Sequence, residues 1–131
     1  MKRYLLDTHL IYWWMTADAR LGTTMQRIIA KSEIIVSTAS MWEMVLKNAK
    51  GKLPLPDGSL TDQLEAQGFI LLPILPRHIE AARKLRCEHA DPFDRLLIAQ
   101  AQDERVTLLT RDVAILGLEL EGVAKGESNL W

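Results

Sequence analysis

Four acidic residues stand where a carboxylate could hold a metal ion. Asp7 and Asp112 come at or just after the ends of apolar runs typical of buried strands, and Glu43 and Asp94 lie among apolar neighbours in predicted helices. Gathered without a counter-ion, these carboxylates would repel one another and some of their pKa values would rise. Oxygen donors without paired histidine or cysteine suit Mg²⁺ or Mn²⁺, and water positions left open on such an ion permit hydrolysis of a phosphodiester. We therefore expect the four acids to meet in one divalent-cation site.

The segment 89–102 gives the most specific local pattern. Asp91 followed by Pro92 predicts the start of a helix, which puts Asp94 in its first turn. Counting three, four and seven residues on from Asp94 reaches three apolar side chains, Leu97, Ile98 and Ala101. The carboxylate therefore faces the apolar side of the helix, where a negative charge is costly unless a cation offsets it. The alternative is that Asp91 and Asp94 are ordinary capping and first-turn acids.

The other three acids have ordinary alternatives too. Asp7 could cap the helix that follows it together with Thr8, Glu43 could be an exposed helix residue, and Asp112 could cap the turn at 113–116. Independent roles of this kind do not predict that the acids lie beyond the same edge of one sheet.

The elements that must position these acids alternate between strands and helices. Strands are predicted over 2–7, 34–36, 69–74 and 106–110, with a fifth edge strand near 118–123; helices are predicted over 9–15, 21–31, 37–49, 60–67, 77–87 and from Pro92 onward. In the helix 77–87 we expect Ile79, Ala82 and either Leu85 or Arg86 to face inward. This alternation predicts an α/β fold with a mostly parallel sheet of four to five strands, whose ligand site lies beyond the carboxyl ends of the strands at the switch point of strand order.

Length and composition predict a single domain over 1–131. The chain has 131 residues, 48% of them hydrophobic, and 16 basic against 17 acidic residues give a formal charge of −1. Any polyanionic partner must therefore be met by a local patch of cations. One cysteine excludes an internal disulfide framework, and neither a leader nor an apolar run of about 20 residues is found. We expect a cytoplasmic protein with no membrane partner.

Four segments, 5–9, 40–43, 91–100 and 109–112, resemble the PIN-domain ribonucleases, and within them the toxins of VapBC-type toxin-antitoxin pairs. The resemblance covers nearly the whole chain and is most specific at Asp91-Pro-Phe-Asp-Arg. It implies a PIN-like three-layer sandwich with helices on both faces of the sheet. It also implies a Mg²⁺-dependent endoribonuclease that acts as a toxin, a cognate antitoxin and a homodimer. The metal ligands and catalytic residues so implied are Asp7, Glu43, Asp94 and Asp112, with Thr110 in support.

An RNA substrate would have to approach an acidic pocket on a slightly acidic protein, so its phosphates need local cations. Lys47 follows Glu43 on its helix, and Arg95 and Arg111 flank two of the other acids. We expect these three cations to bind substrate. The alternatives are that they are solvated surface charges or, for Arg95, that it pairs with a carboxylate at the sheet edge.

Aromatic and methionine side chains cluster on two short helices, at 12–15 and 41–44. Core packing explains part of this cluster, but a short helix cannot bury four consecutive large side chains on one side. We expect some of them, Trp13 and Trp14 among them, to form a groove for a segment of the antitoxin.

Two other classes of function remain open. An aspartyl phosphatase would need a second acid two residues after Asp7, where His9 stands, and a receiver domain would need an acidic pair before Asp7. The non-enzymatic alternative is a catalytically inactive PIN-like scaffold that binds RNA or protein.

Overall fold

Strands and helices alternate along the chain, as the sequence predicts. The computed structural model describes residues 2–86, 91–112 and 115. Its strands are β1 (Arg3–Leu6), β2 (Glu33–Ser37), β3 (Ile70–Leu72) and β4 (Thr107–Leu109). Its helices are α1 (Thr8–Met15), α2 (Thr23–Lys31), α3 (Thr38–Ala49), α4 (Leu60–Ala66), α5 (Pro76–Lys84) and α6 (Pro92–Glu104), with a 3₁₀ turn at Ala19–Leu21 before α2. The predicted strand at 118–123 lies outside the described residues.

The four strands form one parallel sheet in the order β3-β2-β1-β4. In the centre of the sheet Leu5 of β1 is aligned with Ile35 of β2 and with Leu108 of β4. The chain builds outward from β1 to β3 and then returns to add β4 on the other side of β1. The switch point of strand order is therefore between β1 and β4, and Asp7 and Thr110 follow those two strands directly.

Alternate residues of the strands face two separate hydrophobic clusters, which makes the fold a three-layer sandwich. On one face Tyr4 and Leu6 pack with side chains from the first four helices, among them Leu10, Met25, Met44 and Leu64. On the other face Leu5 packs with side chains of α6, namely Leu97, Ile98 and Ala101. Each large apolar side chain buried in this way contributes roughly 1.5–3 kcal/mol. The predicted α/β sandwich with helices on both faces is confirmed.

The inward face of α5 differs from the prediction at one position. Ile79 is 49% exposed, whereas His78 is fully buried. The repeat that faces inward begins at His78 and continues through Ala82 to Leu85, which packs against the second cluster. The expectation for Leu85 was right and that for Ile79 was wrong, because α5 packs on α6 through a polar side chain. No helix in the described part of the chain is long and apolar enough to cross a membrane.

Candidate functional site

Asp7 is a buried carboxylate at the carboxyl end of β1. Its side chain is 4% exposed, and its Oδ2 accepts a hydrogen bond of 2.7 Å from the Thr110 hydroxyl. Asp7 occupies the N-cap position of α1, but its side chain makes no capping hydrogen bond. Its carboxylate therefore makes no capping hydrogen bond to α1, and the capping alternative is wrong for this residue.

The burial of Asp7 raises its pKa above the ordinary value for an aspartate. The Thr110 hydrogen bond, the nearby His9 and the Thr8 backbone N–H act in the opposite direction, while the charge of Asp112 raises the pKa further. Burial outweighs the groups that favour the ionised form. The surroundings thus offset only in part the cost of burying Asp7 as an anion.

Asp112 lies beside Asp7 across the switch point, and we call these two residues the strand-end pair. The Asp112 backbone N–H donates to the Thr110 hydroxyl at 3.0 Å, and that hydroxyl in turn donates to Asp7. Both acids line a cavity of about 240 Å³, together with His9 and Trp13 among others. The structure therefore brings Asp7 and Asp112 together.

Glu43 is held at the same end of the molecule by α3. It is only 6% exposed, so the exposed-residue alternative is wrong, and its Oε2 lies 2.8 Å from the Lys47 amine. One turn earlier, Ser40 accepts a hydrogen bond of 2.9 Å from the Thr8 hydroxyl. Since residues three apart share a helix face, Glu43 lies on the side of α3 that meets the start of α1.

Asp94 is in the first turn of α6, as predicted. Its backbone N–H donates to the Asp91 carboxylate at 3.0 Å, so Asp91 is the N-cap. The three side chains that share its face, Leu97, Ile98 and Ala101, are fully buried. The Asp91 carboxylate is used in capping, which leaves Asp94 as the candidate ligand on this helix.

A hard divalent cation fits the strand-end pair on chemical grounds. The pair offers carboxylate oxygens, the donors that Mg²⁺ and Mn²⁺ prefer. The raised pKa of Asp7 also shows that added positive charge near this carboxylate would relieve an unfavourable burial.

Comparison with known proteins identifies the family. The PIN domain family matches residues 4–116, a range that contains all four acids. The chain belongs to the PIN-domain family. Ribonuclease VapC22 of Mycobacterium tuberculosis is 30% identical over 116 residues, which cover 86% of this chain and 88% of the relative. The resemblance inferred from the sequence is therefore confirmed.

Two solved structures share the fold. VapBC2 from Rickettsia felis, bound to a DNA fragment from its promoter, superimposes with a TM-score of 0.61 at 14% identity and covers 89% of this chain and 93% of its own. A toxin-antitoxin complex from Klebsiella pneumoniae gives a TM-score of 0.63 at 21% identity, with 92% and 94% coverage. At these identities the likeness establishes the PIN fold.

A second pair of acids in this PIN domain lies at the end of α6, and we call Asp103 and Glu104 the helix-end pair. Among the described residues, this pair and His78 form a group whose ligand atoms all lie within 4.8 Å of one another. Arg77 contacts both carboxylates, with 2.6 Å between its Nε and Asp103 Oδ2. His78 Nε2 lies 2.8 Å from Glu104, and its Nδ1 accepts from the Leu75 backbone N–H at 2.9 Å.

These hydrogen bonds place the proton of His78 on Nε2, which donates to Glu104. The hydrogen bond from His78 and then that from Arg77 lower the pKa of Glu104. Both carboxylates of the helix-end pair are therefore already in contact with a cation, and a metal ion there would have to displace Arg77. We interpret the group as a link between α5 and α6. Sequence reasoning missed it, although the spacing of His78, Ala82 and Leu85 carries the signal.

The three cations predicted to bind substrate all make contacts within the protein. Lys47 pairs with Glu43. Arg95 donates to the backbone carbonyls of Ala82 and Leu85, at 3.4 and 3.0 Å, and so ties α6 to the end of α5. Arg111 lines the Asp7 cavity and donates to two carbonyls of the 3₁₀ turn, at 2.6 and 3.2 Å. Their contact with substrate stays a prediction.

Proposed function

We propose that this chain is a Mg²⁺-dependent endoribonuclease of the cytoplasm and the toxin of a type II toxin-antitoxin pair. The observation that carries the proposal is the buried, under-compensated Asp7 beside Asp112 at the switch point of the sheet. Its membership of the PIN family and its similarity to a protein named as a ribonuclease support the same conclusion.

In this proposal Asp7, Glu43, Asp94 and Asp112 hold the cation, Mg²⁺ or in its place Mn²⁺. Thr110 fixes the orientation of the Asp7 carboxylate through its 2.7 Å hydrogen bond. Glu43 is oriented by its 2.8 Å ion pair with Lys47. A bound divalent cation supplies the charge that lowers the pKa of a water molecule and offsets negative charge on the phosphoryl oxygens.

Cleavage mapping on total cellular RNA tests the proposal, with Mg²⁺, with EDTA, and with Mn²⁺ restored after EDTA. We expect cleavage with either metal and no cleavage with the chelator. We also expect that Asp94→Asn folds normally but does not cleave RNA. The matched control is Asp91→Asn on the same helix, since asparagine caps about as well as aspartate, and it retains activity. Cleavage that persists in EDTA would remove the metal from the mechanism.

The alternative of an inactive scaffold predicts neither cleavage nor cation binding. Against it stands the cost of burying Asp7 with partial compensation, which a protein that needs no cation has no reason to bear. Calorimetric titration with Mn²⁺ that released no heat would favour the scaffold.

For the antitoxin we propose the groove between α1 and α2. It has a volume of about 600 Å³ and is lined by Trp13, Trp14 and Leu21 among others. Trp14 is held in place by a 2.9 Å hydrogen bond from its indole N–H to Gln67. The solved PIN structures of similar fold are described as toxin-antitoxin complexes, which supports a protein partner.

Co-purification with the product of the neighbouring reading frame tests this groove. Trp13→Ala and Trp14→Ala each weaken retention of that protein, whereas Trp42→Ala on α3 does not. Equal retention by all three variants would exclude the groove.

For the homodimer we propose the exposed apolar face formed by α3 and the segment that enters α5. Trp42 and Val45 of α3 are 57% and 42% exposed, and Ile74, before α5, is 39% exposed. The Ile74 backbone N–H donates to the Thr38 hydroxyl at 3.2 Å, so the two segments touch. Sedimentation equilibrium should give a dimer for the wild type and a monomer for Val45→Lys; a wild-type monomer would contradict the proposal.

A further inference from the structure

A second cavity, of about 420 Å³, lies at the amino end of β1, away from the strand-end pair. Its lining includes three cations, Lys2, Arg27 and Lys31, and no carboxylate. All three cations are exposed, and none forms an ion pair within the part of the chain that the structure describes. The neighbouring acid Glu33 is paired with Arg3 at 3.2 Å. The cavity is therefore a local concentration of positive charge on a chain of net charge −1.

This basic cavity is connected along the surface to the strand-end pair. Arg27 lines both the basic cavity and the groove between α1 and α2, and Trp13 lines both that groove and the Asp7 cavity. Helix α2 runs beside this path, and its nine residues span about 13 Å. A nucleic-acid strand has phosphates every 3.4 Å or more along its axis, so about four nucleotides or fewer would cover that distance.

The acids at one end of the path repel phosphate, and the cations predicted to offset them, Lys47, Arg95 and Arg111, are already in contact with the protein. We propose that the Lys2–Arg27–Lys31 cavity binds the phosphodiester backbone of the RNA strand whose scissile bond lies at the strand-end pair. The inference rests on the proposed function for the identity of the ligand.

The lining chemistry favours RNA over an acidic polypeptide. Besides the three cations, the cavity presents the side chains of Thr24 and Ser32, and hydroxyl groups together with Lys and Arg are the usual phosphate contacts. Aromatic side chains next to a cationic groove, as in the α1–α2 path, are the usual setting for single-stranded nucleic acid.

Fluorescence anisotropy in EDTA measures binding apart from cleavage. The probe is a labelled single-stranded RNA of about 20 nucleotides, longer than most single-strand site sizes. The double variant Arg27→Gln/Lys31→Gln binds this RNA about tenfold more weakly. The slope of log K against log salt concentration also becomes shallower by about 1.4, since each phosphate contact on a single strand contributes about 0.7. The matched control is Arg83→Gln/Lys84→Gln, which removes the same charge from α5 in the opposite layer and leaves both quantities unchanged. Equal loss in the two variants would overturn the proposal.

Two further arms separate this proposal from the proposed function. In steady-state cleavage the Arg27→Gln/Lys31→Gln variant has a higher KM for the long RNA than the wild type. Its kcat and its KM for a trinucleotide are unchanged. A chain that binds RNA through the cavity but cleaves nothing would remove the enzymatic proposal and keep the cavity as an RNA-binding site. If RNA binding is unchanged in the variant while binding of polyglutamate weakens, the occupant is an acidic protein and the RNA assignment is wrong.

Discussion

The strand-end pair and the helix-end pair are made of the same kind of side chain, yet their surroundings give them opposite properties. At the helix end, His78 donates a hydrogen bond to Glu104, Arg77 contacts both carboxylates, and the pKa of Glu104 falls. At the strand end, burial and a second negative charge outweigh the Thr110 hydroxyl, the nearby His9 and the Thr8 backbone N–H, and the pKa of Asp7 rises.

The comparison shows that closeness of acidic groups does not by itself mark a cation site. The ligand atoms of the helix-end pair and His78 lie within 4.8 Å of one another, but both carboxylates already contact Arg77. The strand-end pair is the better candidate because burial raises the pKa of Asp7, and because strand order opens a crevice there.

The largest expected difference between the pairs is in RNA cleavage. Asp7→Asn lowers the cleavage rate by about 10³-fold, the upper range for removal of one electrostatic group from an active site. The fold is retained, because the Thr110 hydroxyl can still donate to the amide oxygen of the asparagine. Asp103→Asn stays within about twofold of wild type, because its pair serves the α5–α6 contact. Initial rates at saturating metal measure both; equal losses would break the comparison.

Stability shows the reverse pattern. His78→Ala should cost about 3 kcal/mol in the free energy of unfolding, because it empties a buried site, leaves the Leu75 N–H without its acceptor and removes one hydrogen bond from Glu104. Ile79→Ala, one residue on and half exposed, should cost less than about 1 kcal/mol. Urea denaturation of the two variants provides the test, and similar costs would mean that the buried face of α5 is misassigned.

Metal binding gives a third contrast. At a concentration of about 100 times Kd, Mn²⁺ should stabilise the wild type by about 2.7 kcal/mol, and Asp7→Asn should lose that gain. Asp103→Asn should keep it. Thermal denaturation with and without Mn²⁺ measures the shift, and a gain lost only in Asp103→Asn would transfer the metal to the helix-end pair.

Acid sensitivity is the smallest of the four effects. The pKa of Glu104 in the folded protein is lowered from the ordinary value of 4.5. Its contacts therefore stabilise the fold at pH values above the unfolded-state pKa. This stabilisation is lost as the pH falls through the folded-state pKa. Glu104→Gln should therefore be less stable than wild type near neutrality, with a difference that shrinks in acid. Glu80→Gln on the exposed side of α5 is the control. Unfolding curves collected from neutral to acidic pH measure the difference in stability between Glu104→Gln and the wild type. A difference that stays constant with pH would contradict the inference.

Much of the site follows from local sequence. Asp91 followed by Pro92 determines where α6 begins. The apolar residues three, four and seven positions after Asp94 show that Asp94 lies on the buried face of this helix. The four strands were likewise predictable, because short β-branched or leucine runs in an alternating α/β pattern have few other uses.

The roles of the cations could not be predicted in the same way. Arg95 and Arg111 flank acids in sequence, but their guanidinium groups reach carbonyls 10 and 90 or more residues away. His78 faces α6 because two helices pack there, and its partner Glu104 is 26 residues along the chain. Such contacts depend on the packing of elements, which periodicity within one element does not specify.

By itself the sequence determined the order of strands and helices and the helix caps. It also determined which acids come at the ends of strands or on the apolar side of helices. These features depend on residues close in sequence, within about two helical turns. Only the tertiary structure decided which acids lie beside a cation. The Thr110–Asp7 contact joins residues 103 apart, and the Arg77–Glu104 contact joins residues 27 apart. Whether a carboxylate finds a positive partner depends on what the fold brings beside it.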